Sequence, residues 1–112
     1  MKLWVDDLRP APEEYVWCES VAKAKCFIKS AEYINNYRRF TSRGIEEEDE
    51  IELIDMDHDA GDYASDGGDY IRLLDWLEET NRNYPIRIHS QNPVGVENMR
   101  RIIERNGWKE VK

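Results

Sequence analysis

Three short apolar runs in this chain each end on polar residues that can do chemistry. "KLWV" (Lys2 to Val5) is followed by Asp6 and Asp7, and "IELIDM" (Ile51 to Met56) by Asp57, His58 and Asp59. "IRIH" (Ile86 to His89) leads into Ser90, Gln91 and Asn92. Runs of this length bounded by turn-formers read as buried strands. Between them lie stripes at helical spacing. Ala24, Phe27, Ile28, Ala31 and Ile34 follow a Ser20 N-cap, and that helix is expected to fray between Tyr37 and Gly44. Tyr70, Leu73, Leu74 and Leu77 mark a second helix, and Val96, Met99, Ile102 and Ile103 follow an Asn92-Pro93 helix start. "YVWC" (Tyr15 to Cys18) adds a strand ahead of the first helix, and "WKEV" (Trp108 to Val111) is expected as a last short strand.

The order β, β, α, β, α, β, α, β predicts an α/β fold with a mostly parallel sheet covered on both faces. Right-handed crossovers leave few topologies, and a flavodoxin-like doubly wound sheet is the simplest. With 112 residues the chain is expected to be a single domain, residues 1–112, with four Trp and six Tyr helping to fill one core. Trp4, Trp17, Trp76 and Trp108 read as core or covering aromatics.

The net charge is −8, and it is unevenly spread. Twelve of the 24 acids fall between Arg43 and Arg72, where there is no Lys or Arg. That field repels a nucleic-acid backbone, so double-stranded DNA is not an expected partner. A small phosphorylated ligand remains compatible, because a bound divalent ion reverses the local sign. The run Glu46 to Glu50 reads as a solvated connector. No apolar run reaches membrane-span length and no leader follows Met1, so a soluble, cytoplasmic protein with no membrane partner is expected. Cys18 and Cys26 form no metal or disulfide pattern and read as reduced thiols.

In a doubly wound sheet ligands bind beyond the carboxyl ends of the strands. All the polar residues that follow the three runs, including both histidines, are therefore expected at one edge. Asp6, Asp7 and Asp57 form an oxygen donor set suited to Mg²⁺ or Mn²⁺, and a cation would relieve their mutual repulsion. A calcium loop starting at Asp55 fits poorly, because Ala60 stands where glycine is needed and a strand precedes it. His58 and His89 are an expected acid/base pair. Ser90 and Asn92, beside the Pro93 helix start, form an expected anion cradle that Arg9 could reach.

Three motifs carry a family resemblance. "VDDLRPAP" (Val5 to Pro12), "MDHDAGDY" (Met56 to Tyr63) and "IHSQNPVGVENM" (Ile88 to Met99) occur in the order and form found in the cyclic-phosphate processing receiver-like domains, a branch of the response-regulator receivers. The resemblance implies a receiver-like sandwich, with Asp6 and Asp7 matching the metal-holding acids, Asp57 the phosphoacceptor and Ser90 the switch hydroxyl. It also implies processing of cyclic phosphates, including RNA ends. A receiver's lysine after its last strand has only Lys109 or Lys112 as counterparts here, and the fifth helix has none, so the expected fold is truncated after the last strand.

Two functions are expected to compete. One is a metal-dependent phosphoesterase acting on a cyclic phosphate of an RNA end or small nucleotide, with Asp6, Asp7 and Asp57 on the ion and His58 and His89 moving protons. Asp57 as a covalent nucleophile is a variant of it. The other is a stand-alone receiver, phosphorylated on Asp57, that signals through a partner. The sequence leaves the oligomeric state open.

Overall fold

The computed structural model describes residues 1–40 and 50–112. The acidic run Glu46 to Glu50, except Glu50, and residues 41–44 of the stretch expected to fray lie outside the described residues. The elements are β1 (Lys2–Val5), β2 (Tyr15–Cys18), α1 (Val21–Phe40), β3 (Leu53–Met56), a 3-10 turn (Gly61–Ser65), α2 (Ile71–Glu79), β4 (Ile86–Ile88) and α3 (Pro93–Asn106). The expected helix starts hold. Ser20 Oγ accepts from the Lys23 N–H at 3.0 Å, and Asn92 Oδ1 accepts from the Gly95 N–H at 3.0 Å. The expected last strand is a single parallel bridge, Glu110 to Ile86, after Gly107 caps α3 in the left-handed region.

All strand pairs are parallel, in the order β2-β1-β3-β4, as a receiver-like sheet requires. From β2 onward every step that passes through a helix moves the same way across the sheet. Right-handed crossovers then place all three helices on one face. The core reflects this, since Leu3, Val5, Ile54, Met56 and Ile86 share one buried cluster with Ala24 and Ile28 of α1, Leu74 and Leu77 of α2, and Met99 and Ile103 of α3. Burying each of the Leu, Val, Ile and Met side chains stabilises the fold by about 1.5–3 kcal/mol relative to exposure.

The step from β1 to β2 runs the other way and carries no helix. The expected coverage of both faces by helices is therefore corrected: among the described residues the helices lie on one face only. The segment Asp6 to Glu14 makes the return, turning where Glu14 takes φ 71° and the Tyr15 N–H donates to the Pro12 carbonyl at 3.1 Å. Strands of four residues are short enough for this loop to span. Two indoles tie it down, Trp4 Nε1 donating to the Arg9 carbonyl at 2.9 Å and Trp17 Nε1 to the Asp6 carbonyl at 2.7 Å. The strand register lines up Trp17, Trp4, Asp55 and Arg87 in one row on this helix-free face. Among the described residues no helix is long and apolar enough to cross a membrane.

Candidate metal centre and functional site

β1 and β3 are neighbours with Val5 paired to Met56, so the residues that follow each strand leave the sheet side by side. The Asp57 N–H donates to the Val5 carbonyl at 2.9 Å and fixes that exit. Asp6, Asp7 and Asp57 each present a carboxylate oxygen within 4.8 Å of the others. The expected trio is therefore brought together.

Its three members are held differently. Asp6 is buried, 1% exposed, and burial alone would raise its pKa. The N–H groups of Arg9 and Leu8, each donating to Oδ1 at 2.9 Å, and the His89 ring on Oδ2 outweigh that penalty and hold its carboxyl below the usual range. Asp7 goes the opposite way. Desolvation and the neighbouring charges of Asp6 and Asp57 push it up. Gly61 stands against it at φ +56°, where a Cβ would collide with Asp7 Oδ2. Asp57 Oδ1 accepts from the His58 N–H at 2.7 Å. Beneath the trio, the buried Tyr70 hydroxyl donates to the Glu19 carbonyl at 2.6 Å. Burial and the charges of Asp7, Asp6 and Asp57 push its pKa up.

The donor chemistry fits a hard divalent cation. Three carboxylates lie within reach of one point, one of them is fixed as an anion, and another is destabilised by its neighbours' charge. Mg²⁺ takes oxygen donors of this kind and few of them.

The two expected acid/base histidines have different surroundings. His89 is nearly buried, and both its ring nitrogens face carboxylates, Nδ1 to Asp55 Oδ1 at 2.6 Å and Nε2 to Asp6 Oδ2 at 2.8 Å. Its ring stacks on Trp4 with centroids 3.8 Å apart. His58 directs Nδ1 to Asp59 Oδ1 at 2.9 Å, and among the described residues its Nε2 makes no hydrogen bond. Its ring lies where a Cβ on Gly95 would stand, 2.5 Å from the imidazole Cγ.

The expected anion cradle is largely engaged in local structure. Ser90 Oγ accepts from the Asn92 N–H at 3.1 Å, Asn92 Oδ1 caps α3, and Asn92 Nδ2 reaches Asp59 Oδ2 at 3.4 Å. Ser90 keeps its own hydroxyl proton to donate. Among the described residues the exposed Arg9 guanidinium donates once, to the His89 carbonyl at 2.8 Å, which ties the loop after β1 to the loop after β4.

The family model for the cyclic-phosphate processing receiver domain matches residues 1–105. The chain belongs to this family. No curated protein and no solved structure matches it significantly.

In this cyclic-phosphate processing receiver domain, sequence reasoning passed over Asp55 as part of the site. An acid inside an apolar strand that is buried must have partners, and Asp55, 0% exposed, has His89 on one oxygen and Arg87 on the other at 3.0 Å. "LID" inside a strand run was the available signal. Trp4, expected as a core or covering aromatic, is also the platform for His89. Gly61 and Gly95 lie within the family motifs, but why glycine stands there is set by the fold, which brings Asp7 and His58 against them. Of the two expected lysine counterparts, Lys109 precedes the bridge at Ile86 and so stands at the amino edge of the sheet, away from the acids, while Lys112 is exposed.

Proposed function

We propose that this domain is a metal-dependent phosphoesterase that opens cyclic phosphates, on a small nucleotide or an RNA end. The observation that carries the reading is the convergence of Asp6, Asp7 and Asp57 within 4.8 Å at the carboxyl edge of the sheet. Those three residues would hold Mg²⁺ or Mn²⁺. Such an ion, when bound, supplies positive charge to polarise the phosphoryl group.

The chain's own residues supply the rest. Arg9 offers the phosphate guanidinium N–H groups that are free among the described residues, and Ser90 and Asn92 border the same edge. His58 is the proton carrier. Its Nε2 takes the proton of the attacking water as the new P–O bond forms, then returns it to the ring oxygen as that P–O bond breaks. The product is a phosphomonoester with a free hydroxyl. Asp59 holds the ring through Nδ1, which is the usual way an imidazole acting at its other nitrogen is oriented. His89, expected to share this work, has no nitrogen to spare and acts on Asp6 instead.

Incubation of the purified protein with 2′,3′-cyclic nucleotides and Mg²⁺, with chromatographic separation of the monoesters, tests the reading. Catalytic ring opening that EDTA abolishes supports it. Absence of turnover across a panel of cyclic phosphates, with one phosphoryl group transferred to Asp57 from a small phosphodonor, would instead establish the stand-alone receiver.

A further inference from the structure

We propose that Asp55, on the helix-free face of the sheet, is a positioning residue that acts through His89 to set the ligand geometry of Asp6. The inference rests on the reading of Asp6, Asp7 and Asp57 as a cation site.

A carboxylate has two oxygens and about four lone-pair sites. Asp6 Oδ1 accepts two backbone N–H groups, from Leu8 and Arg9, and both of its sites are filled. Oδ2 pairs with His89 Nε2 at 2.8 Å, which fills a third. About one site is left, and His89 decides which one it is. Asp6 is thereby a preset, single-point donor.

His89 can do this only if its ring is fixed, and three contacts fix it. Asp55 Oδ1 holds Nδ1 at 2.6 Å, so Nε2 is turned toward Asp6. Trp4 stacks on the ring within 5° of parallel and sets its plane. Arg87 occupies the other oxygen of Asp55, so that the buried acid has no freedom to rotate away. Trp4, Asp55 and Arg87 are consecutive partners across β1, β3 and β4, so the platform is built by sheet register rather than by a loop. Rigid elements hold functional groups more narrowly than loops do. The helix-free face thus has a purpose in this fold, because a helix over β1 would compete with the His89 ring for Trp4.

The test is Mn²⁺ affinity, read by titration of the free-ion electron paramagnetic resonance signal, on full-length protein whose folding is checked by circular dichroism. Wild type should bind, and Asp6→Asn, which removes the ligand itself, should bind least. Asp55→Asn should weaken Mn²⁺ binding by about 10–100-fold, the usual cost of losing an outer partner of a metal ligand. His89→Leu should weaken it as much, and His89→Gln, which keeps an N–H donor toward Asp6, should recover part of the loss. Should Asp55→Asn fail to fold, the two His89 variants decide.

A merely structural Asp55 would lower the unfolding temperature and leave Mn²⁺ affinity at the wild-type value, and that result overturns the proposal. Wild type with no Mn²⁺ affinity overturns both this proposal and the cation site. Wild type that binds Mn²⁺, is weakened by Asp55→Asn, and opens no cyclic phosphate overturns the esterase alone.

Discussion

Val5 and Met56 are paired across two parallel strands, and the acidic centre follows from that pairing. Asp6 and Asp7 leave one strand and Asp57 leaves the other at the same height. A sheet with β1 and β3 apart would scatter the same three acids.

Asp7 is pushed up by burial and by the neighbouring charges of Asp6 and Asp57, so its charged form is held at a cost. Asp7→Asn should therefore stabilise the metal-free protein, by a few degrees of unfolding temperature for about 1 kcal/mol in a domain of this size. In millimolar Mg²⁺ the ranking should invert, because binding stabilises only the protein that keeps its ligands. Differential scanning calorimetry with and without Mg²⁺ checks both signs.

Gly95 leaves room for the His58 ring, and a methyl group there has no space. Gly95→Ala should displace His58 and lower turnover by about 10²-fold or more, the scale of a positioned acid/base group. Mn²⁺ affinity should stay at the wild-type value, since the three atoms nearest an added Cβ all belong to the His58 ring and none to Asp6, Asp7 or Asp57. A parallel loss of metal binding would contradict the assignment of His58 as proton carrier.

Away from the site, Glu32 joins α1 to the segment before β4 through Arg82, at 2.8 Å, and the Tyr84 hydroxyl. Burial would raise its pKa, but these donors prevail and lower it. A carboxylate lowered on folding contributes stability above its unfolded pKa, and that contribution disappears as pH falls through the folded value. Glu32→Gln should therefore be less stable than wild type at pH 7, with the gap closing below about pH 4. Urea unfolding at both pH values measures it, and a gap independent of pH would show that the ion pair contributes nothing.

Much of the fold was legible because it rests on local patterns. Strand positions, the Ser20 and Asn92 caps and the convergence of Asp6, Asp7 and Asp57 follow from period, turn chemistry and parallel crossovers. The helix-free face was not legible, although the absence of any helical stripe between Val5 and Tyr15 contained it. Nor could the two histidines be told apart, since their roles depend on long-range partners. His89 meets Asp6 and Asp55 only across neighbouring strands, and His58 is placed by Gly95 on α3.

The central claim is tested most directly by ³¹P NMR of 2′,3′-cyclic AMP with the protein and Mg²⁺, beside Asp57→Asn and His58→Ala. The account predicts that the cyclic-phosphate resonance gives way to one monoester resonance over many turnovers, and that both variants lose this. An unchanged cyclic resonance with wild type across a panel of cyclic phosphates would contradict it, as would undiminished turnover by Asp57→Asn.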